Sequence, residues 1–446
     1  MKQLTILILM GLLFFPVIGK SQEHFTLNKL LKYAVENSHT IKKATLQERE
    51  SSAKRKEVVA NGLPQVDGDL SYSRMGIPDI EISQEMAESL PEDIAPLLNG
   101  LSDIKALHTS SAGVTVSQLL YSKAYLTGVK QAKKAEELYK VMLQKTEEEV
   151  INDVSTMYYQ VQASNASLKI LDENIDALEK LYAILKLQYD NDFVKLTDVN
   201  RLKVTLTNLK TQRETLQNGI LIQKRFLKIM AGFPVEEDIT LDTISAEKVT
   251  EGRPSPGFFS LDHLSAYQLL QKQNELAELE IESNKAAYYP NLAAFGQFSY
   301  SSYATEFQFK NFNNMNTVGL QATIPIFSSG KRKQKVFQSQ LKLDQNMEDL
   351  KLNSKYLGTN YKNASNSLLS AWSNLQVQKE NKELANQVYE QVKIQFNEGM
   401  ASLTDLLNVE TSLLEAENLF NQQLLKYNLA EIELLKATGK LETLIN

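Results

Sequence analysis

The sequence contains no cysteine. That excludes a disulfide framework, a cysteine nucleophile and an acylated N-terminal cysteine. Its four histidines, His24, His39, His108 and His263, are scattered and share no metal-ligand spacing. There is no glycine-rich phosphate loop and no G-x-S-x-G elbow. The acidic run Glu147-Glu148-Glu149 falls on a helical stretch and reads as solvated. The sequence therefore offers no catalytic residue, no metal site and no cofactor site. Net charge is −6, which argues against nucleic acid as a partner. Beyond residue 22 no segment reaches 18 uncharged apolar residues, so no transmembrane helix is expected.

Proline is scarce in a telling way. The ten prolines leave residues 97–233 and 326–446 entirely free of it. Proline inside a helix costs roughly 3 kcal/mol, so these stretches can hold long helices. The apolar pattern says that they do. Val150, Val154, Met157, Val161, Leu168, Leu171, Ile175, Leu178, Tyr182 and Leu185 follow steps of three, four and seven. That is a heptad seam, suited to helices packed side by side. The pattern breaks at Tyr189-Asp190-Asn191-Asp192 and resumes with Val199, Leu202, Leu206, Leu209, Leu216, Ile220, Leu227 and Met230. The spacing predicts a helix out, a tight turn and a helix back.

The unit occurs twice. Leu196-Thr197-Asp198-Val199 reappears 207 residues later as Leu403-Thr404-Asp405-Leu406, and Gly232 falls on Gly439 at the same offset. Gly113-Val114-Thr115-Val116 falls on Gly319-Leu320-Gln321-Ala322, and Leu63-Pro64-Gln65-Val66 on Tyr289-Pro290-Asn291-Leu292. Each half thus reads helix, strand, loop, strand, long helix, turn, helix. The predicted division is a secretory signal at 1–22, a first repeat at 23–232, a connector at 233–260 and a second repeat at 261–446. Strands are expected at about 64–74, 112–121, 290–302 and 317–327, and the long helices at about 122–188, 197–231, 331–395 and 403–438. Before the first strand, Phe25 to Asn61 reads as two helical pieces with Thr26 as a cap and a break at Asn37-Ser38-His39, after which Ile41 begins the second. Trp372, Leu375, Leu384 and Val388 are predicted core residues of the third long helix. The acidic loop Arg74–Ser111 carries no evident role.

The strands alternate. Val66, Gly68, Leu70 and Tyr72 stand against Asp67, Asp69, Ser71 and Ser73, and Gln297, Ser299 and Ser301 against Gly296, Phe298 and Tyr300. In the last strand Val318, Leu320, Ala322, Ile324 and Ile326 form the apolar set. Tyrosines 288, 289, 300 and 303 bracket the third strand. Two readings fit such strands: a soluble sandwich, or a transmembrane barrel with aromatic girdles. In the second case four strands cannot close a barrel alone, and an open sheet in lipid leaves backbone groups unpaired at several kcal/mol each. Two copies would give a filled eight-stranded barrel, three a barrel wide enough for a lumen.

The duplicated plan, the strand openers Leu63-Pro64-Gln65 and Tyr289-Pro290-Asn291, and the turns Tyr189–Val199 and Phe396–Leu406 together resemble the TolC-type outer-membrane efflux channel family. The resemblance covers about Phe25 to Leu441. It implies a mainly α fold with a small transmembrane β part: a homotrimer with a 12-stranded barrel continuing into a 12-helix periplasmic tunnel. The implied location is the outer membrane of a Gram-negative bacterium, in contact with its lipid. The implied function is passive export from an inner-membrane transporter, through a periplasmic adaptor (membrane fusion) protein. In such proteins the tips close the tunnel. Thr197 and Asp198 match one side of the family's polar link, and its opposing Tyr and Arg positions hold Phe396 and Ala401 here. Asp405 matches a ring aspartate, and the next ring position is Asn408. The resemblance places the aperture at Asp405, Asn408, Thr197 and Asp198, and adaptor docking at Phe193, Val194, Leu196, Gly399, Met400, Ser402 and Leu403. Asp198 and Asp405 also suit simple capping of the returning helices. A periplasmic scaffold or adaptor without a pore, and a secreted adhesin, are the competing classes.

Overall fold

The computed structural model describes residues 24–77, 106–243, 252–308 and 310–445. The expected signal, most of the acidic loop and part of the connector lie outside them. In chain order the elements are β1 (His24–Phe25), α1 (Leu27–Asn37), α2 (His39–Ala60), β2 (Gln65–Gly76), β3 (Ala106–Ser122), α3 (Lys123–Asp190), α4 (Leu196–Ala231) and β4 (Thr240–Leu241). Then follow α5 (Ser265–Ala286), β5 (Asn291–Ala304), β6 (Asn313–Thr323), α6 (Lys331–Asn397) and α7 (Leu403–Ala437). The fold is mainly helical with a small strand part, in two similar halves. Among the described residues no helix is long and apolar enough to cross a membrane.

The chain forms two compact units. The first combines the described residues of Met1–Gln47, Lys140–Leu269 and Leu350–Asn446. Its helices pack along the predicted seams. Val150, Val154, Val161, Leu171, Ile175, Leu178 and Leu185 of α3 are all buried, as are Val199, Leu202, Leu206, Ile220 and Leu227 of α4. One core gathers Leu30, Leu31 and Ala34 of α1 around Ile151, Val154, Leu227 and Ile432. Thr26 caps α1 by accepting from Lys29 N at 3.2 Å. The second helical piece starts at His39 rather than Ile41, because Ser38 alone interrupts the helix: it donates to Ala34 O at 2.8 Å and accepts from Lys42 N at 3.0 Å. The connector is tied back to α4: buried Lys228 donates to Val235 O at 2.6 Å and to Glu237 O at 2.8 Å. β4 pairs in parallel with β1. Of the expected α6 core, Leu375 is buried, but Leu384 and Val388 are 53% and 50% exposed because nothing in one chain covers that side.

The second unit combines Glu48–Tyr139 and Leu270–Asp349. It holds a four-stranded antiparallel sheet in the order β2-β3-β5-β6. The register puts Asp67, Thr115, Gln297 and Thr317 side by side, and Asp69, Gly113, Ser299 and Met315 in the next row on that face. The opposite face carries Val66, Val116, Gly296 and Val318 in one row and Gly68, Val114, Phe298 and Asn316 in the next. On the polar face the ring of Phe295 lies over Gly319, where an added Cβ would come within 3.0 Å of it. The strands run longer than alternation suggested at the loop end. Arg74 to Gly76 and Ala106 to Ser111 are paired strand, not loop, since backbone pairing continues where small polar residues blur the pattern. β6 likewise begins nearer its loop, at Asn313, but stops short at the other end, at Thr323. β5 offers no partner beyond Asn291, and Pro325 lacks an N–H to donate.

Candidate functional site

The two turns of the first unit are built alike. After α3, Asp192 N donates to Tyr189 O at 2.9 Å and Phe193 N to Gln188 O at 2.8 Å. After α6, Gly399 N donates to Phe396 O at 3.0 Å and Met400 N to Gln395 O at 2.8 Å. Each pair is a Schellman closure, which requires a left-handed residue at its bend. Asp192 (φ 64) and Gly399 (φ 74) supply it.

The helices that return from the turns begin differently. Ser402 caps α7: its hydroxyl accepts from Asp405 N at 3.2 Å, and Asp405 Oδ2 accepts from Ser402 N at 3.0 Å and from its Oγ at 2.6 Å. The Ser402 hydroxyl first, then its backbone N–H, holds the Asp405 carboxyl below the usual carboxylate range. On α4 the position equivalent to Ser402 is Lys195, which has no side-chain acceptor and makes no cap bond. Asp198 therefore lies in the first turn, where its charge suits the helix dipole, without closing a box. Capping explains Asp405 better than Asp198.

The structure brings some of the sequence-named residues together and leaves others apart. Val194, Phe396 and Leu403 pack into one apolar cluster with Leu185, Val199 and Leu202. Leu403 is 8% exposed, so it and half-buried Val194 hold the tip together instead of facing a partner. Phe193, at 82%, and Met400, at 73%, stand out in the open, and Leu196, Thr197, Gly399, Ser402, Asp405 and Asn408 are exposed. Phe396 and Ala401 form no polar link with Thr197 and Asp198. A different contact joins the helices: Arg201 Nη1 on α4 donates to Thr404 Oγ1 on α7 at 2.6 Å.

Sequence reasoning missed three polar groups near these helices. Arg201 is one. Glu410 is another: it is buried on α7, accepts from Asn174 Nδ2 on α3 at 3.3 Å, and burial pushes its carboxyl up to about 7 despite the opposing pull of Lys393. Asn421 is the third, donating to Ala163 O at 2.7 Å and Ser167 Oγ at 2.8 Å. Glu410 follows Leu403 by one heptad, so a polar residue on the apolar stripe was the available signal. Among the described residues no His, Asp and Glu cluster could hold a metal ion.

A family model described as outer membrane efflux protein matches residues 30–227 and 268–440. The chain belongs to the outer membrane efflux protein family, and its place is the outer membrane. It is an outer-membrane efflux protein. Its fold is similar to the Campylobacter jejuni CmeC outer membrane channel, with a TM-score of 0.77 at 17% identity over 93% of this chain and 85% of that one. It is also similar to the open state of the Neisseria gonorrhoeae MtrE outer membrane channel, with a TM-score of 0.72 at 16% identity over 93% and 88% of the two chains. For the outer membrane protein VceC of Vibrio cholerae the values are 0.71 and 13%, over 93% and 96%. No curated protein sequence matches the chain.

Proposed function

We propose that three copies of this chain form one duct, which receives cargo from an inner-membrane transporter through a periplasmic adaptor. The observation that carries this is the pair of free sheet edges. β2 and β6 are the outer strands, and antiparallel pairing throughout makes them run in opposite directions. The β6 edge of one copy can therefore pair antiparallel with the β2 edge of the next. In lipid an unpaired edge costs several kcal/mol per group, so the edges must be joined. Eight strands would enclose only side chains, whereas twelve leave a lumen. The polar rows of Asp67, Asp69, Gln297 and Ser299 suit a wet interior, and exposed Leu70, Val318 and Leu320 suit lipid.

In this reading the chain comprises a leader at 1–22 and two repeats, 23–232 and 261–446, joined by the connector 233–260. The helix turns are the far tips, and Thr197, Asp198, Asp405 and Asn408 border the aperture. Exposed Phe193, Leu196, Gly399, Met400 and Ser402 form the adaptor contact. The test is purification of the mature chain from outer membranes, with mass determination in detergent and conductance in planar bilayers. A heat-modifiable trimer with discrete single-channel steps is expected. A water-soluble monomer that needs no detergent would end this reading.

A further inference from the structure

Within the second unit, a cavity of about 520 Å³ lies between the end of α5 and the start of α6. Lys285 and Lys333 line it, together with Tyr288, Phe337 and Gln340, and no acidic side chain does. Neither lysine has an acidic partner among the described residues. The neighbouring cation is already committed. Arg332 donates to Ser328 Oγ at 2.9 Å and Pro325 O at 3.0 Å, and its guanidinium sits 5.2 Å from the Tyr288 ring centre. The cavity thus has two uncommitted positive charges and an aromatic wall held in place by a third cation.

Its position within the unit points to an occupant. Tyr288 lies just before β5, and Lys331-Arg332-Lys333 follows the segment that leaves β6. That segment exposes Ile324, Ile326 and Phe327, at 65%, 92% and 85%. Apolar side chains open to the surroundings, then aromatics, then lysines, is the order of a bilayer margin: hydrocarbon, interface, headgroup. Lysine ammonium groups at such a margin attract anionic headgroups.

We propose that this cavity holds the headgroup phosphate of an anionic glycerophospholipid. The lipid comes from the leaflet that meets the helices, and its acyl chains lie along Ile324, Ile326 and Phe327. Lys285 and Lys333 contact the phosphate, and Tyr288 and Phe337 flank the glycerol. The assignment rests on the outer-membrane reading above.

The experiment is native mass spectrometry of the full mature chain released from detergent, with phosphatidylglycerol or phosphatidylcholine titrated in. Saturable phosphatidylglycerol adducts, up to one per chain, are expected, with weaker adducts from phosphatidylcholine. The Lys285→Gln/Lys333→Gln double variant should bind phosphatidylglycerol at least tenfold more weakly, and the Lys285→Arg/Lys333→Arg variant should retain it. Equal adducts in the Gln variant would overturn the proposal. So would displacement by millimolar inorganic phosphate, which would mark a free-anion site. Loss of oligomer in the Gln variant without any lipid dependence would mark a surface between copies, and would overturn it too. Bilayer conductance of the wild-type chain is read in parallel. Its absence would defeat the channel reading, whereas adduct loss bears on the lipid site alone.

Discussion

Asp192 and Gly399 occupy the same bend in the two helix turns, 207 residues apart, with φ of 64° and 74° and matching backbone hydrogen bonds. Left-handed backbone is easy for glycine, tolerable for aspartate and costly for other residues, by roughly 1 kcal/mol. At position 192 the expected order of stability is therefore Gly at least equal to Asp, and both above Ala. Gly399→Ala should cost about 1 kcal/mol. A cβ there meets nothing within 4 Å, so the cost is conformational alone. Thermal unfolding of the Asp192→Gly, Asp192→Ala and Gly399→Ala variants checks it, and an unaffected Gly399→Ala midpoint would contradict it.

Gly232 and Gly439 add a collision to the same conformation. Both end returning helices, with φ of 72° and 67°. A cβ on Gly232 would run into the Asn37 carbonyl, and one on Gly439 would lie 2.6 Å from His263 O. These obstacles are backbone and cannot swing away. Gly232→Ala and Gly439→Ala should each destabilise by about 3 kcal/mol, well beyond Gly399→Ala. Equal losses at the three glycines would show that the close approach contributes nothing.

Much of this architecture was legible because long elements repeat their pattern many times. The seam from Val150 to Leu185 buries as its spacing requires. The 207-residue offset located both turns and both terminal glycines. What failed depended on neighbours instead of period. Ile324 and Ile326 extend the alternation of β6, yet β5 has already begun at Asn291 and gives them no partner. Leu384 and Val388 sit on an apolar stripe, yet a single chain leaves that stripe open. At the tips, Thr404 was visible as part of a repeated motif, but its partner Arg201 is 203 residues away and only folding brings them together.

That Arg201–Thr404 bond predicts a coupling between the two hairpins. It is charge-assisted but exposed, so its worth is modest, about 1 kcal/mol. Arg201→Ala and Thr404→Val should each lose about that much, and the double variant little more than either alone. Unfolding free energies of the four proteins close the cycle. Strict additivity would show that the bond carries no coupling. In reconstituted channels the same single variants should also raise the open fraction, if the bond holds the aperture helices together.

Glu410 gives a pH dependence whose sign follows from its surroundings. Burial raises its carboxyl from 4.5 to about 7, with Lys393 opposing. It faces Asn174 of α3 and, on α6, Tyr389 and Lys393, whose ammonium lies 3.2 Å from Glu390. The folded state therefore holds its proton more tightly than the unfolded chain. Stability from this group is full below about pH 4.5 and is lost as pH rises through 7, by up to about 3 kcal/mol. Glu147, Glu148 and Glu431 are raised by burial as well, so wild-type curves alone do not isolate Glu410. The comparison with Glu410→Gln does. The amide keeps the neutral shape, so the variant should match the wild type near pH 4.5 and exceed it near pH 8. Parallel stability curves between those limits would show that the buried carboxyl does not titrate there.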